Sequence, residues 1–213
     1  LDVATIEDMK SIQLDYTSLF AKEITPLLLS VKTGDETGKH KEAIKILENW
    51  DFVESPESKG ALIFHSVLRQ VVISIFGDEL DLLGDKYLDA FTSMKYLHNR
   101  SLRKILVEGN SSWVDDITTR NKIETLDEIL TRSFINGVHD IERVAGHNIN
   151  NWEWGRVHYL THNHKIGSKK ILDWIFDLNV GPYPSGGSDK SPNAGSYSFS
   201  DPYAQTAGAS MRR

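Results

Sequence analysis

The sequence predicts an α+β fold that is mostly α: a helical lobe over residues 1–146, then a strand- and loop-rich segment over residues 147–213. Three observations predict it. Apolar residues recur at helical spacing throughout the first two thirds of the chain. Gly146 closes the last of those stretches with a helix-stop residue. Beyond it the period falls to two, with Val157, Tyr159 and Thr161 alternating with His158, Leu160 and His162, ahead of a Gly/Pro/Ser-rich loop over residues 181–195.

The elements follow in order. Thr5-x-x-Asp8 is a capping-box pattern, and Ile6, Met9, Ile12, Tyr16, Leu19 and Phe20 continue it at helical spacing. Pro26 lacks a backbone donor, so a kink or break is expected near residues 23–25. Residues 33–39 read as a polar turn, and residues 41–50 as a short helix with Ile44, Leu47 and Trp50 on one stripe. Residues 51–59 form a loop containing Pro56. Residues 60–76 are apolar on nearly every face, the mark of a helix in the middle of a core, with Gly77 as its stop. Residues 86–107 predict one or two helices with Tyr87, Leu88, Phe91, Leu102, Ile105 and Leu106 inward, followed by a loop over residues 109–121. Thr125 caps the last long helix with Glu128 as box partner, and Leu126, Ile129, Leu130, Phe134, Val138, Ile141 and Ala145 form its buried stripe. After the predicted strand, residues 171–178 are a short apolar helix or turn. Tyr197 and Phe199 alternate as a short strand over residues 196–200, and Met211 opens another.

Composition bounds the function. The chain has 213 residues, 39% hydrophobic and 25% charged, ordinary for a domain that buries a real core. A net charge of -6 and basic pairs as short as Lys169-Lys170 argue against nucleic acid as a partner. There is no cysteine, which excludes disulfides and thiolate metal sites in this chain. No apolar run reads as long enough to span a bilayer, so no membrane partner is expected. The chain opens at Leu1 without Met and stops at Arg213, so both ends are read as cut and the chain as a piece of a longer protein.

The motifs carry little chemistry of their own. His158, His162 and His164 would share one face of a strand and could converge on a metal. No carboxylate completes that set, and polar residues packed beside tryptophans are the favoured reading. The glycines of residues 181–187 lack the Lys and the helix of a phosphate-binding loop, so they supply turns. Asp115 with Asp116, and Glu7 with Asp8, are sequence neighbours that point apart on a helix; capping is the favoured role. Ser111, Ser112 and Ser210 lack a nucleophile-elbow context. His65, inside the most apolar helix, reads as a satisfied core histidine. Trp50, Trp113, Trp152, Trp154 and Trp174 read as packing residues.

Taken together, several stretches resemble the penicillin amidase family of N-terminal nucleophile hydrolases, the penicillin and cephalosporin acylases and their relatives. The opening Thr5-Ile-Glu-Asp-Met, followed by Gln13, Asp15, Ala21 and Pro26-Leu-Leu, resembles one family helix. Leu47 with Trp50-Asp51 and then Gly60-Ala-Leu-Ile-Phe-His resembles the next unit, and Trp113-Val-Asp-Asp with Glu124-Thr125 also fits. The most specific part is Trp152-Glu-Trp-Gly-Arg-Val-His158, similar to the family's Trp-x-Trp-Gly-x-x-His, followed by His164-Lys-Ile-Gly167, similar to its His-Pro-Leu-Gly. The chain departs from that pattern at Lys165, where proline is usual. Gly181-Pro-Tyr-Pro-x-Gly-Gly and Asn193-Ala match as well, so the resemblance covers nearly the whole chain in order.

The resemblance implies an amidohydrolase made as a precursor that cleaves itself into two chains. A new N-terminal Ser is the nucleophile, its own α-amine is the base, and an oxyanion hole steadies the tetrahedral intermediate. The substrate would be a linear amide, such as the side-chain amide of a β-lactam or an N-acyl homoserine lactone. By motif order the Ser, the oxyanion residues and the family's calcium ligands lie upstream of Leu1. No catalytic, cofactor or metal residue is therefore carried onto this chain, which alone is expected to be inactive. Its partners would be the rest of the same precursor and the small amide substrate. The short strands would belong to an αββα core, the location would be periplasmic or extracellular, and Trp113 would neighbour the substrate pocket. Two other readings compete: a metal-binding hydrolase using His158, His162 and His164, and a helical binding module without catalysis.

Overall fold

The computed structural model describes residues 3–30, 38–94, 97–200 and 203. The fold is α+β and mostly α, with one two-stranded antiparallel sheet among the described residues. Helix α1 (Ile6–Gln13) is closed by the Thr5/Asp8 capping box but buries none of its residues. The chain then bends over residues 14–18, and Ser18 caps α2 (Leu19–Leu28) by accepting from the Ala21 amide. The expected break at Pro26 is not found. Pro26 sits inside α2, and the interruption falls earlier, where Thr17 bridges Val53 and the side chain of Ser18 offers an N-cap. The proposed turn over residues 33–39 lies mainly outside the described residues, as does Met211.

Helix α3 (Gly38–Glu48) carries Leu47 into the core, and Trp50 follows it there; Ile44 is half-buried. Helix α4 (Lys59–Leu83), capped by Ser58, is the axis of the molecule. Gly77 does not stop it. A glycine costs a helix interior only about 1 kcal/mol relative to alanine, and the helix, buried up to Gly77, runs on to Gly84, which ends it at φ 118°. This corrects a second expectation. By length and composition α4 could cross a bilayer, contrary to the reading of the sequence, but 78% of its apolar window is buried inside the protein. It is a core helix.

Residues 86–107 form two helices, α5 (Asp85–Ser93) and α6 (Leu97–Glu108). Leu102, Ile105 and Leu106 point inward as expected, whereas Tyr87 is 54% exposed. Helix α7 (Leu126–Ala145) is closed by the Thr125/Glu128 capping box and by Gly146, and buries Ile129, Leu130, Phe134, Val138 and Ile141. It lies tightly on α4. A Cβ on Gly137 would come within 2.9 Å of the Val67 Cα, so this crossing has room for hydrogen only.

After a 3₁₀ turn (Ile149–Asn151), the segment beyond Gly146 continues with α8 (Trp154–Val157), which replaces the start of the predicted strand. Strand β1 (Tyr159–His162) pairs with β2 (Val180–Pro184), with a register irregularity between Leu160 and His162. The stretch read as a loop over residues 181–195 therefore opens with a strand. Helix α9 (Lys170–Phe176) lies between the strands. Residues 196–200 form no strand. Tyr197 and Phe199 are nonetheless buried, and with Trp152, Trp154 and Tyr203 they share one hydrophobic core with the helices.

Candidate functional site

The densest chemistry lies where the segment after Gly146 meets α4. Its placement begins in the loop before that helix. Ser18 donates its amide to the Phe52 carbonyl (2.9 Å) and Glu54 donates to the Tyr16 carbonyl (3.0 Å), so the loop is pulled across the start of α2. This drives the Glu54 side chain into the interior at 0% exposure. There Glu54 Oε1 accepts from His65 Nε2 at 3.1 Å, and His65 Nδ1 accepts from the Tyr197 hydroxyl at 2.7 Å. A neutral imidazole with its proton on Nε2 satisfies both bonds. Burial holds the Tyr197 phenol well above its ordinary range, reinforced by the negative charges of Asp189 and Glu54.

The Trp-x-Trp-Gly-x-x-His run supplies the other wall. The Trp154 amide donates to Ser58 O (3.1 Å) and the Gly155 amide to Pro56 O (2.6 Å), which docks α8 on the loop before α4. A Cβ on Gly155 would come within 2.8 Å of both Pro56 and Pro184. The Trp154 ring lies stacked between two imidazoles, 4.5 Å from His65 and 4.4 Å from His158, and its Nε1 donates to Gly187 O at 3.1 Å. His158 Nδ1 donates to Tyr203 O, while Nε2 faces the Gly195 backbone without a well-formed bond. Burial lowers the His158 pKa to about 4; the Tyr203 and Gly195 backbones oppose that shift and neighbouring His65 adds to it. Tyr203 in turn donates to Ser66 Oγ (2.9 Å), which donates to Gly137 O (2.8 Å). Arg69 joins the Phe199 carbonyl (3.0 Å) to Asp140 (3.3 Å).

Chemically this is a closed corner. Its polar groups are spent on one another, apart from Glu54 Oε2 and His158 Nε2. With Glu54, Trp154 and His158 fully buried, no substrate reaches it. What it does is fix the last described residues against α4. His65 is the satisfied core histidine expected from its helix.

The three histidines read as a possible metal site do not converge. His158 ends α8 and points inward, whereas His162 and His164 are exposed, and His164 Nδ1 accepts from the Ile166 amide at 3.2 Å. No grouping of three or more His, Asp or Glu suited to a metal occurs among the described residues. Trp174, read as a packing residue, is 86% exposed. The paired carboxylates are structural: Asp8 serves its capping box, Asp115 accepts from the Glu124 amide, and Asp116 accepts from Thr118 and pairs with Arg132 at 3.1 Å.

Trp113 stands on a single 3₁₀ turn (Ser112–Val114) with its ring 5.4 Å from Phe76. It is 40% exposed. With Phe76 and Ile105 it floors a cavity of about 380 Å³ rimmed by Ser101, Lys104, Glu108 and Asn110. That volume lies at the small end of the range for organic ligands. Sequence reasoning missed Glu54, Tyr197, Tyr203, Arg69 and Asp140. Their partners lie up to 137 residues away, and no local spacing marks them.

The penicillin amidase family model matches residues 1–213. The chain is similar to the acyl-homoserine lactone acylase QuiP of Pseudomonas aeruginosa, 25% identical over 218 residues, covering 91% of this chain and 25% of that protein. It is similar to QuiP of Pseudomonas fluorescens at the same identity, covering 95% of this chain and 25% of that one. The chain thus spans about a quarter of the length of the curated relatives it matches.

Proposed function

The chain belongs to the penicillin amidase family, and from that premise we propose that it is part of an acylase that hydrolyses a linear amide. N-acyl homoserine lactones are the substrate class favoured by the two relatives' names. The observation that carries this reading is the family match across the whole chain.

In the proposed reaction the nucleophile is an N-terminal Ser that lies in the polypeptide outside residues 1–213. Its oxygen attacks the amide carbonyl as the Ser α-amine takes its proton. The proton passes to the departing nitrogen, the amine leaves, and water then attacks the acyl-serine to release the acid. Donors preorganised around the developing oxyanion lower both barriers. This chain contributes a rigid frame: α4, α7 and the Trp154 corner fix the loops whose outer faces border the substrate. The cavity at Trp113 is assigned to that border. The calcium that the resemblance implies is proposed to be held by the polypeptide outside residues 1–213, as the nucleophile is. An exported, self-processed protein belongs to the same proposal.

The test uses the complete coding sequence that contains residues 1–213. Terminal sequencing of the mature protein should find an internal chain beginning with Ser. Homoserine lactone should be released from N-acyl substrates, and Ser→Ala at that terminus should abolish the release. An unprocessed polypeptide that frees no amine from acyl-lactone or β-lactam side-chain amides overturns the reading.

A further inference from the structure

We infer that Glu124 is a positioning residue for the proposed substrate border: paired with Asp115, it locks the loop over residues 115–124 and so holds the Trp113 turn over its cavity. Glu124 does not line that cavity itself. This rests on the assignment of the Trp113 cavity to the border in the reading above, and names a residue that sets substrate affinity from a distance.

Glu124 is a carboxylate at 8% exposure on a stretch that buries nothing else. From Asp115 to Ile123 no side chain is buried, so apolar packing does not give this loop its shape. Taking a carboxylate out of water costs free energy unless hydrogen bonds satisfy it. The bonds that satisfy Glu124 come from the loop itself. Its Oε2 accepts from the Asp116 amide (3.0 Å), and the Thr119 hydroxyl lies 3.0 and 3.2 Å from its two oxygens. Asp115 Oδ1 accepts in turn from the Glu124 amide at 3.2 Å. Reciprocal carboxylate–amide bonds thus join the two ends of the loop, and bonds to an ionised acceptor are the stronger kind.

The closed loop is tied to the frame at two further points. The Ile117 amide donates to Asp78 Oδ2 on α4 (2.8 Å), and Asp116 pairs with Arg132 on α7 (3.1 Å). Immediately before the loop, Val114 is buried and the Trp113 amide donates to Ser111 Oγ (3.3 Å). The Trp113 ring, 40% exposed and 5.4 Å from Phe76, therefore owes its place to the backbone on either side of it. On one side α6 ends at Glu108, and on the other the lock begins at Asp115. Helix α7 does not need the lock for its own start, because the Thr125/Glu128 box already caps it. What remains for Glu124 is to hold the turn.

The experiment uses the complete protein and whichever acyl-lactone or β-lactam side-chain amide it hydrolyses. Glu124→Ala should raise KM several-fold, by no more than Trp113→Ala does, with kcat little altered. In the Trp113→Ala background the same substitution should leave KM unmoved, because a residue that acts through that ring has nothing left to position. Glu124→Gln, which keeps an acceptor for the Asp116 amide, should restore KM. In the unsubstituted protein the Asp116, Ile117 and Glu124 amides should be protected from hydrogen exchange, a readout that stands even where Glu124→Ala fails to fold. Rapid exchange at these amides, an unchanged KM for Glu124→Ala, or equal rises with and without Trp113 would each overturn the inference. Where Trp113→Ala still raises KM, those results defeat this inference alone. An unchanged KM for Trp113→Ala removes the border and this inference together, and absent amine release from the unsubstituted protein defeats the functional reading itself.

Discussion

At the scale of single residues, the hydroxyl of Tyr197 and the ring of Trp113 mark the difference between a group that holds the frame and one assigned to substrate. Tyr197 is buried and bonded to His65 Nδ1 at 2.7 Å. Tyr197→Phe leaves that nitrogen dry and unpaired, and should lower unfolding stability by about 1–3 kcal/mol, read as a shift in the urea midpoint. An unchanged midpoint would mean that the bond is not made in solution. Trp113 borders a cavity, and under the proposed function its loss would remove a contact made equally to bound substrate and transition state. Trp113→Ala in the complete enzyme should raise KM about tenfold or more with kcat little altered, the size expected for one apolar pocket contact. Amide hydrolysis with unchanged KM would remove Trp113 from the substrate border. The two residues also differ in how far the sequence discloses them. The burial of His65 was legible from the apolar helix around it. Its pairing with Tyr197, 132 residues away, was not, because nothing local to either residue encodes it.

At the scale of elements, local chemistry was readable where it is self-contained and misleading where packing decides. Both capping boxes and the stop at Gly146 occur as the sequence indicates, since a cap needs only residues three apart. Gly77 and Pro26 misled for different reasons: a glycine is a weak breaker at about 1 kcal/mol, whereas the roughly 3 kcal/mol of a proline is met in α2 by the burial of Ala21, Ile24, Thr25 and Leu28. The strand expected over residues 196–200 failed for another reason. Tyr197 and Phe199 alternate, but what they meet is the face of α4 rather than a neighbouring strand. The capping boxes give a paired test of this view. Thr125→Ala removes the cap of a helix that packs along α4, and should cost about 1 kcal/mol of global stability. Thr5→Ala removes an equivalent cap from α1, which buries nothing. It should speed hydrogen exchange within α1 and leave the melting midpoint of the chain almost unmoved. Equal midpoint losses would show that α1 is packed as firmly as α7.

At the scale of the whole molecule, two groups set opposing dependences of stability on pH. His158 is held neutral by burial, with a pKa of about 4 against an ordinary 6.5. As pH falls through 6.5 the unfolded chain takes up a proton that the folded chain refuses until about pH 4. Across that window His158 removes on the order of 3 kcal/mol as pH falls. Glu79 acts in the other direction. Its burial, with Asp78 beside it and Asp116 near, pushes its pKa up to about 7 from 4.5. The folded state keeps that proton while the unfolded state releases it, so stability from Glu79 is full below 4.5 and is lost as pH rises toward 7. The windows overlap, and the two slopes largely cancel between pH 4.5 and 6.5. Single substitutions should therefore tilt the profile in opposite senses. His158→Gln leaves Glu79 unopposed, so stability should fall as pH rises across that range. Glu79→Gln leaves His158 unopposed, so stability should rise. Urea midpoints at half-unit pH steps measure both tilts, and parallel profiles for the two variants would refute the assignment of these groups. The comparison is sensitive because both groups sit on the frame around α4, one at the Trp154 corner and one near the far end of that helix, too far apart for either substitution to disturb the other.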